Sequence, residues 1–182
     1  MSKAGEIKKL TNLVKPHIGV ITNIGEAHIE NFKNINGIAK AKSEIIENIA
    51  PQGTIILNRD DKFFNYSSKK AKQFGIKIST FGKNKNSDIC LKKIVKHGNT
   101  SKLLIEIDNK STLVQIGDLN INNILSSVAA LKELGIDISK IKNNFKNFES
   151  PAGRGKKYLI NRYKKKFKLI DESYNANPLS VK

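Results

Sequence analysis

HIGVITNIGEAHIENFKNINGIAKAKSEIIENI, residues His17 to Ile49, is the stretch on which the fold turns. Ile18 to Ile21 is a short apolar run rich in β-branched residues, as in a buried strand. Thr22 to Asn34 is a polar loop holding Asn23, Gly25, Glu26, His28 and Glu30. Beyond it Ile35, Ile38, Ala39, Ile45, Ile46 and Ile49 fall on one face at helical spacing. A strand, a polar loop and an amphipathic helix in that order predict an α/β fold.

Lys42 lies in the middle of the apolar stripe, whereas Lys40 lies off it. Burial disfavours the charged form of a lysine, lowers its pKa and can make it a reactive amine. A packed stem with its ammonium reaching water would also account for the position. The helix alone leaves both readings open. His28 sits beyond the C-terminal end of the strand, where open α/β sheets place their ligand sites. A loop histidine is also an ordinary surface residue, so His28 becomes a candidate only together with Lys42.

The 182 residues suffice for one domain and part of another. The net charge of +17, from 33 Lys+Arg against 16 Asp+Glu, first suggests an anionic partner. Against a nucleic acid, Arg59, Arg154 and Arg162 are the only arginines, and the lysines are scattered along the chain. A basic nucleic-acid-binding module is therefore only an alternative, and no nucleic-acid partner is expected. Cys90 is the single cysteine, which rules out an internal disulfide and suits a reducing compartment. The sequence has no run of about 18 apolar residues for a membrane span. Its start, MSKAGEIKKL, lacks the apolar core of a signal peptide. A soluble, cytoplasmic, monomeric protein is expected.

Ser2 to Leu13 reads as a helix ended by Pro16, with Ile7, Leu10 and Leu13 on one side. Gly53 to Asn58 is a second buried strand, running into Asn58-Arg59-Asp60-Asp61, residues that could simply cap the next helix. A helix over Asp61 to Phe74 and a strand over Lys77 to Phe81 follow. Ile89 to Val95, Lys102 to Ile107 and Ser111 to Ile116 read as an antiparallel meander beside the sheet, with His97 in a solvent-facing turn. Ile124, Val128, Leu131 and Leu134 mark the next helix, with Asp118, Asn120 and Asn123 at its start and Gly135 at its end. Ile138 to Phe148 is a further short helix. Arg154 stands in a Gly- and Pro-rich turn. After it, Tyr158 to Asn161 and Phe167 to Ile170 form a hairpin around Arg162 to Lys166. The second hairpin strand leads into DESYNANPLS, residues Asp171 to Ser180. The fold expected is a mostly parallel sheet with flanking helices and a meander, then the first strands of a second α/β domain. The boundary falls between residues 149 and 150.

TNIGEAH, the AKSEI lysine fourteen residues after His28, the strand ending in Asn58-Arg59-Asp60-Asp61 (N-x-D-[DN] in the family), GDLNINNILSS, the Gly153-Arg154 turn and DESYNANPLS together resemble the Mur ligases, ATP-dependent amide ligases of peptidoglycan precursor synthesis. The resemblance runs through essentially the whole chain in the family's order. It implies that residues 1–149 form the C-terminal part of the family's central ATP-binding domain and residues 150–182 the start of its C-terminal domain. It implies ATP and Mg2+ as cofactors, His28 as a magnesium ligand, and Lys42 as a carbamate supporting a second metal ion. Such an anion suits a hard, oxygen-preferring metal. It further implies that Asn123 contacts the nucleotide base, that Arg154 reaches the phosphates, and that Asp171 and Asn175 hold the nucleotide or the incoming amine.

Leu119 stands where the family's G-x-H-N-x-x-N motif has histidine, so any role of that imidazole is lost. The family's Gly-rich phosphate loop, G-x-x-x-x-G-K-[ST], does not occur in these residues. The 182 residues alone are therefore expected not to catalyse. The string D-[DE]-S-Y-N-A-N-P-x-S resembles the members that join D-alanyl-D-alanine to UDP-MurNAc-tripeptide through an acyl phosphate. Another Mur-type ligase, or a folylpolyglutamate-type ligase, is the alternative within the superfamily.

Overall fold

A computed structural model describes residues 3–26, 29–97, 100–117 and 119–174. Six strands, β1 (Ile18–Ile21), β2 (Thr54–Asn58), β3 (Lys77–Gly82), β4 (Ile89–His97), β5 (Thr100–Ile107) and β6 (Lys110–Ile116), form one sheet in that spatial order. β1 to β4 are parallel, and β4 to β6 antiparallel. The meander does not lie beside the parallel sheet but continues it. β4 pairs with β3 only through Phe81↔Ile89 and Gly82↔Cys90, while its other edge pairs with β5 from Ile89 to His97.

The helices are α1 (Glu6–Val14), α2 (Ile35–Lys42), α3 (Phe64–Gln73), α4 (Ile121–Glu133) and α5 (Ile138–Ile141). β2 shows how they are layered. All five of its residues are buried. Ile56 points into a core with Leu125, Val128 and Ala129 of α4. Ile55 and Leu57 point into a second core with Ile38 and Ala39 of α2 and Ala71 of α3. A parallel strand covered on both faces carries apolar residues in succession, which is why TIIL is so legible.

Several expectations change in detail. β1 has the anticipated bounds but is an edge strand among the described residues, and Val20 is 38% exposed. The helix expected through Ile49 leaves α geometry after Lys42, and Ser43–Asn48 is a tighter 3-10 segment. At that change Ser43 is buried and its hydroxyl lies 3.2 Å from that of Ser67 on α3. Leu134, placed on the α4 stripe, is exposed because the helix has ended at Glu133, and Gly135 follows at φ 74°. Residues expected as one helix over 138–148 split into α5 and a 3-10 turn, Asn144–Asn147. β4 extends through His97, which pairs with Thr100.

α1 is held on by polar groups. None of its residues is buried, and Leu10, Leu13 and Val14 face outward. Both carboxylate oxygens of Glu44 accept from its first turn, from the Gly5 N–H at 2.7 Å and the Lys8 N–H at 3.0 Å. Asn48 Nδ2 donates to the Lys8 carbonyl at 2.9 Å, and Glu47 pairs with both Lys8 and Lys70.

β7 (Lys156–Arg162) and β8 (Lys165–Asp171) form a separate two-stranded antiparallel ribbon. It is longer than expected because its turn consists of only Tyr163 and Lys164, at φ 53° and 57°. This left-handed pair is the backbone of a two-residue hairpin turn, here without the usual Asn or Gly.

Candidate active site

Lys42 is half-buried at the end of α2, while Lys40 is exposed. Its stem leaves the helix beside buried Ile38 and Ala41, and its Nζ donates to the Asn23 carbonyl at 2.9 Å. Burial lowers the pKa of this amine, against the Asp61 carboxylate charge, which raises it. A lower pKa enlarges the neutral, nucleophilic fraction.

The loop receiving Lys42 leaves the C-terminal end of β1 and is fastened to the end of β2. Asn58 Nδ2 donates to the Thr22 carbonyl at 3.1 Å. Asp61 Oδ2 accepts from the Ile24 N–H at 2.7 Å, and its Oδ1 from the Phe63 N–H at 2.8 Å. Asp60 turns the other way and accepts from the Lys83 and Asn84 N–H groups beyond β3. Sequence reading left Asn58-Arg59-Asp60-Asp61 between a helix-capping loop and a resemblance to the family's N-x-D-[DN] strand end, with no role for either carboxylate. Their alternating reach to two loops depends on which strands are neighbours. His28 continues the same loop but lies outside the described residues, as do Asp118 and Asn175.

A second group gathers around Asp171 at the end of β8. Its Oδ2 accepts from the Gly153 N–H at 2.9 Å. Its Oδ1 accepts from the Ser173 N–H at 3.1 Å and the Ser173 hydroxyl at 2.6 Å. Its carbonyl accepts from the Gly155 N–H at 2.7 Å. The Ser173 hydroxyl, then the Ser173 and Gly153 N–H groups, hold its carboxyl below the usual aspartate pKa. Arg154, between the two glycines, is exposed and lays its guanidinium over the Tyr174 ring at 4.4 Å from the centroid. Gly153 has φ 74°, and a Cβ there would come within 2.8 Å of the Tyr174 Cβ, so the turn needs glycine.

Asn123 stands apart from both groups, exposed in the first turn of α4. Asn120 is the cap, its Oδ1 accepting from the Asn122 and Asn123 N–H groups. Leu119 is half-buried and packs on the core that contains α4. An open cleft of about 290 Å³ lies near the end of β6, between Phe148 and Lys156, and is lined by none of Lys42, Asn123, Arg154 and Asp171.

With this geometry in view, the family model of the Mur ligase middle domain matches residues 1–131. The chain belongs to the Mur ligase family. UDP-N-acetylmuramoyl-tripeptide–D-alanyl-D-alanine ligase of Buchnera aphidicola is 32% identical over 99% of the chain and 40% of its own length. The ligase of the same name from Escherichia coli is 30% identical, over 95% of the chain and 38% of its length. A crystal structure of MurF from Acinetobacter baumannii superposes with a TM-score of 0.87 at 28% identity, covering 100% of the chain and 39% of that protein. The chain thus spans about 40% of the length of the curated Mur ligases it matches. The mixed six-stranded sheet with helices on both faces is shared with that fold, and a small antiparallel sheet follows it here.

Metal holding has a specific limit. Among the described residues no three His, Cys, Asp or Glu side chains cluster as a metal site. The chemistry of Lys42 is compatible with the carbamate that the resemblance implies. A half-buried amine of lowered pKa can add to CO2, and the product carries two oxygens where the free side chain offers none.

Proposed function

We propose that this chain is the segment of an ATP-dependent ligase that joins D-alanyl-D-alanine to UDP-MurNAc-tripeptide, forming the amide through an acyl phosphate. Residues 1–149 are the central ATP-binding part and residues 150–182 the beginning of a C-terminal domain. The observation that carries this reading is Lys42, drawn from a packed helix toward the loop at the carboxyl ends of β1 and β2, in a chain of this family. The names of the similar ligases supply the substrates.

In this reading the neutral Lys42 amine attacks CO2, forming an N–C bond and releasing its proton, and leaves a carbamate. His28 would help hold a Mg2+ ion and the Lys42 carbamate would support a second metal ion. When bound, Mg2+ neutralises charge on the transferring phosphoryl group. Arg154 presents a planar, permanently charged donor fork to the phosphates, with the Tyr174 ring supporting its flat face. Asp171 fixes the turn that carries Arg154, and Asp171 and Asn175 serve the nucleotide or the incoming amine. Asn123 meets the nucleotide base at the start of α4. The working protein is cytoplasmic and monomeric. No helix among the described residues is long and apolar enough to cross a membrane.

The test is a chimera in which this chain replaces the matching segment of the Acinetobacter baumannii enzyme. Phosphate release should depend on ATP, tripeptide substrate and D-alanyl-D-alanine together. Lys42→Ala should lower kcat by about 10–100-fold, the scale of lost metal support, with partial rescue by a short carboxylate. Lys40→Ala should stay within about twofold, as an exposed change does. Wild-type turnover by Lys42→Met at every bicarbonate concentration would remove the carbamate role.

A further inference from the structure

We propose that Asn58 and Asp61 are positioning residues for Lys42, acting through the backbone of the loop after β1. Three successive residues of that loop each have a side-chain partner. Thr22 offers its carbonyl to Asn58, Asn23 offers its carbonyl to Lys42, and Ile24 gives its N–H to Asp61. The two outer partners come from one place, the end of β2. Its backbone is buried through Asn58, itself 7% exposed. The same tetrapeptide is stiffened from within, since Asn58 Oδ1 accepts from the Asp60 N–H at 3.0 Å.

Pinning Thr22 and Ile24 fixes the peptide planes on both sides of Asn23. The direction of the Asn23 carbonyl, and with it the resting place of the Lys42 amine, follows. A lysine side chain is rich in rotamers, so its terminal nitrogen has a definite place only when an outside group holds it. Neither Asn58 nor Asp61 is a catalytic residue. Asp60, bonded to the turn after β3, is the built-in control.

The proposal rests on the reading above for the importance of Lys42, but its test does not need that reading to be right. Asp61 is required here only as an acceptor. Both carboxylate oxygens are used, Oδ2 by the Ile24 N–H and Oδ1 by the Phe63 N–H, so Asp61→Asn, with one acceptor oxygen, keeps half of the arrangement, whereas Asp61→Ala keeps none. Asn58→Asp keeps size and the bond from Asp60 but loses the donor to Thr22, and so provides a second, nearly isosteric break.

The experiment is NMR on the isotope-labelled chain, with 13C-bicarbonate and Mg2+ as probes. In Asp61→Ala the Ile24 amide should exchange about tenfold faster. The Lys42 13Cε should relax like that of exposed Lys40, and any Lys42 carbamate carbon should fall by about tenfold. Asp61→Asn should fall between wild type and Asp61→Ala, Asn58→Asp should follow Asp61→Ala, and Asp60→Ala should change only Lys83 and Asn84. Unchanged Lys42 relaxation in both Asp61→Ala and Asn58→Asp overturns the proposal, even if Ile24 exchange quickens, because the residues would then be structural only. If wild type shows no carbamate carbon at any bicarbonate concentration, the carbamate reading fails instead, and Lys42 relaxation still decides the positioning role.

Discussion

The loop after β1 and the turn after Pro151 use the same device, a carboxylate accepting backbone N–H groups, Asp61 in one and Asp171 in the other. They differ in what lies underneath. Ile24 is 5% exposed and sits on a core with Ile38 and Ile46, both fully buried. The ribbon behind Asp171 leaves Leu159 71% and Phe167 47% exposed. A hydrogen-bonded carboxylate sets local geometry in either place. Buried apolar surface adds most of the free energy that keeps the backbone from opening. The Lys42 corner is therefore part of the rigid body, and the Arg154 turn is a local unit that can shift with the ribbon.

The largest expected effect comes from attacking the core under the Lys42 corner. Ile38→Ala removes a fully buried side chain and should cost about 2–5 kcal/mol in chemical unfolding. A cost below about 1 kcal/mol would mean that the corner does not depend on packing. Next is the contrast in opening. Amides of Ile55 and Ile56 in β2 should exchange about 100-fold or more slowly than those of Leu159 and Phe167. Comparable protection would show the ribbon docked and abolish the contrast.

Acid probes the turn more gently. The folded pKa of Asp171 is depressed, so its bonds support the turn above the ordinary aspartate pKa. That support should fade as pH falls through the lower folded value. The Gly153 and Ser173 amide shifts should report the titration, ahead of global unfolding. Titration of those amides at the ordinary aspartate pKa would contradict the geometry. The smallest effect is expected from Phe167→Ala, within about 0.5 kcal/mol of wild type, since the ring is half open to solvent.

Strand bounds were most legible where apolar runs are covered on both faces, as at β2. Nothing in IGVI distinguishes an edge strand from an inner one, because that depends on neighbours rather than on local composition. The 3-10 segment after Lys42 was hidden because its isoleucines keep a helical spacing through Ile49. The Tyr163-Lys164 turn was hidden because neither residue type favours positive φ. Lys42 announced itself as a lysine on an apolar stripe. Asn58 and Asp61 showed only as a family-like strand end without a role, since polar residues after a strand are also ordinary loop composition. Their meaning appears only when the β1 loop lies alongside.

The attachment of α1 has a consequence for the order in which the molecule assembles. Its nine residues are too few to hold a helix unaided in water, and Gly5 at its start has no side chain to cap it. The cap is Glu44, 39 residues away from Gly5, and Asn48 lies 40 residues from the Lys8 carbonyl it engages. Although α1 precedes β1 in sequence, it must wait for the 3-10 segment Ser43–Asn48 to close. On a ribosome α1 would emerge before the segment that caps it and become helical late.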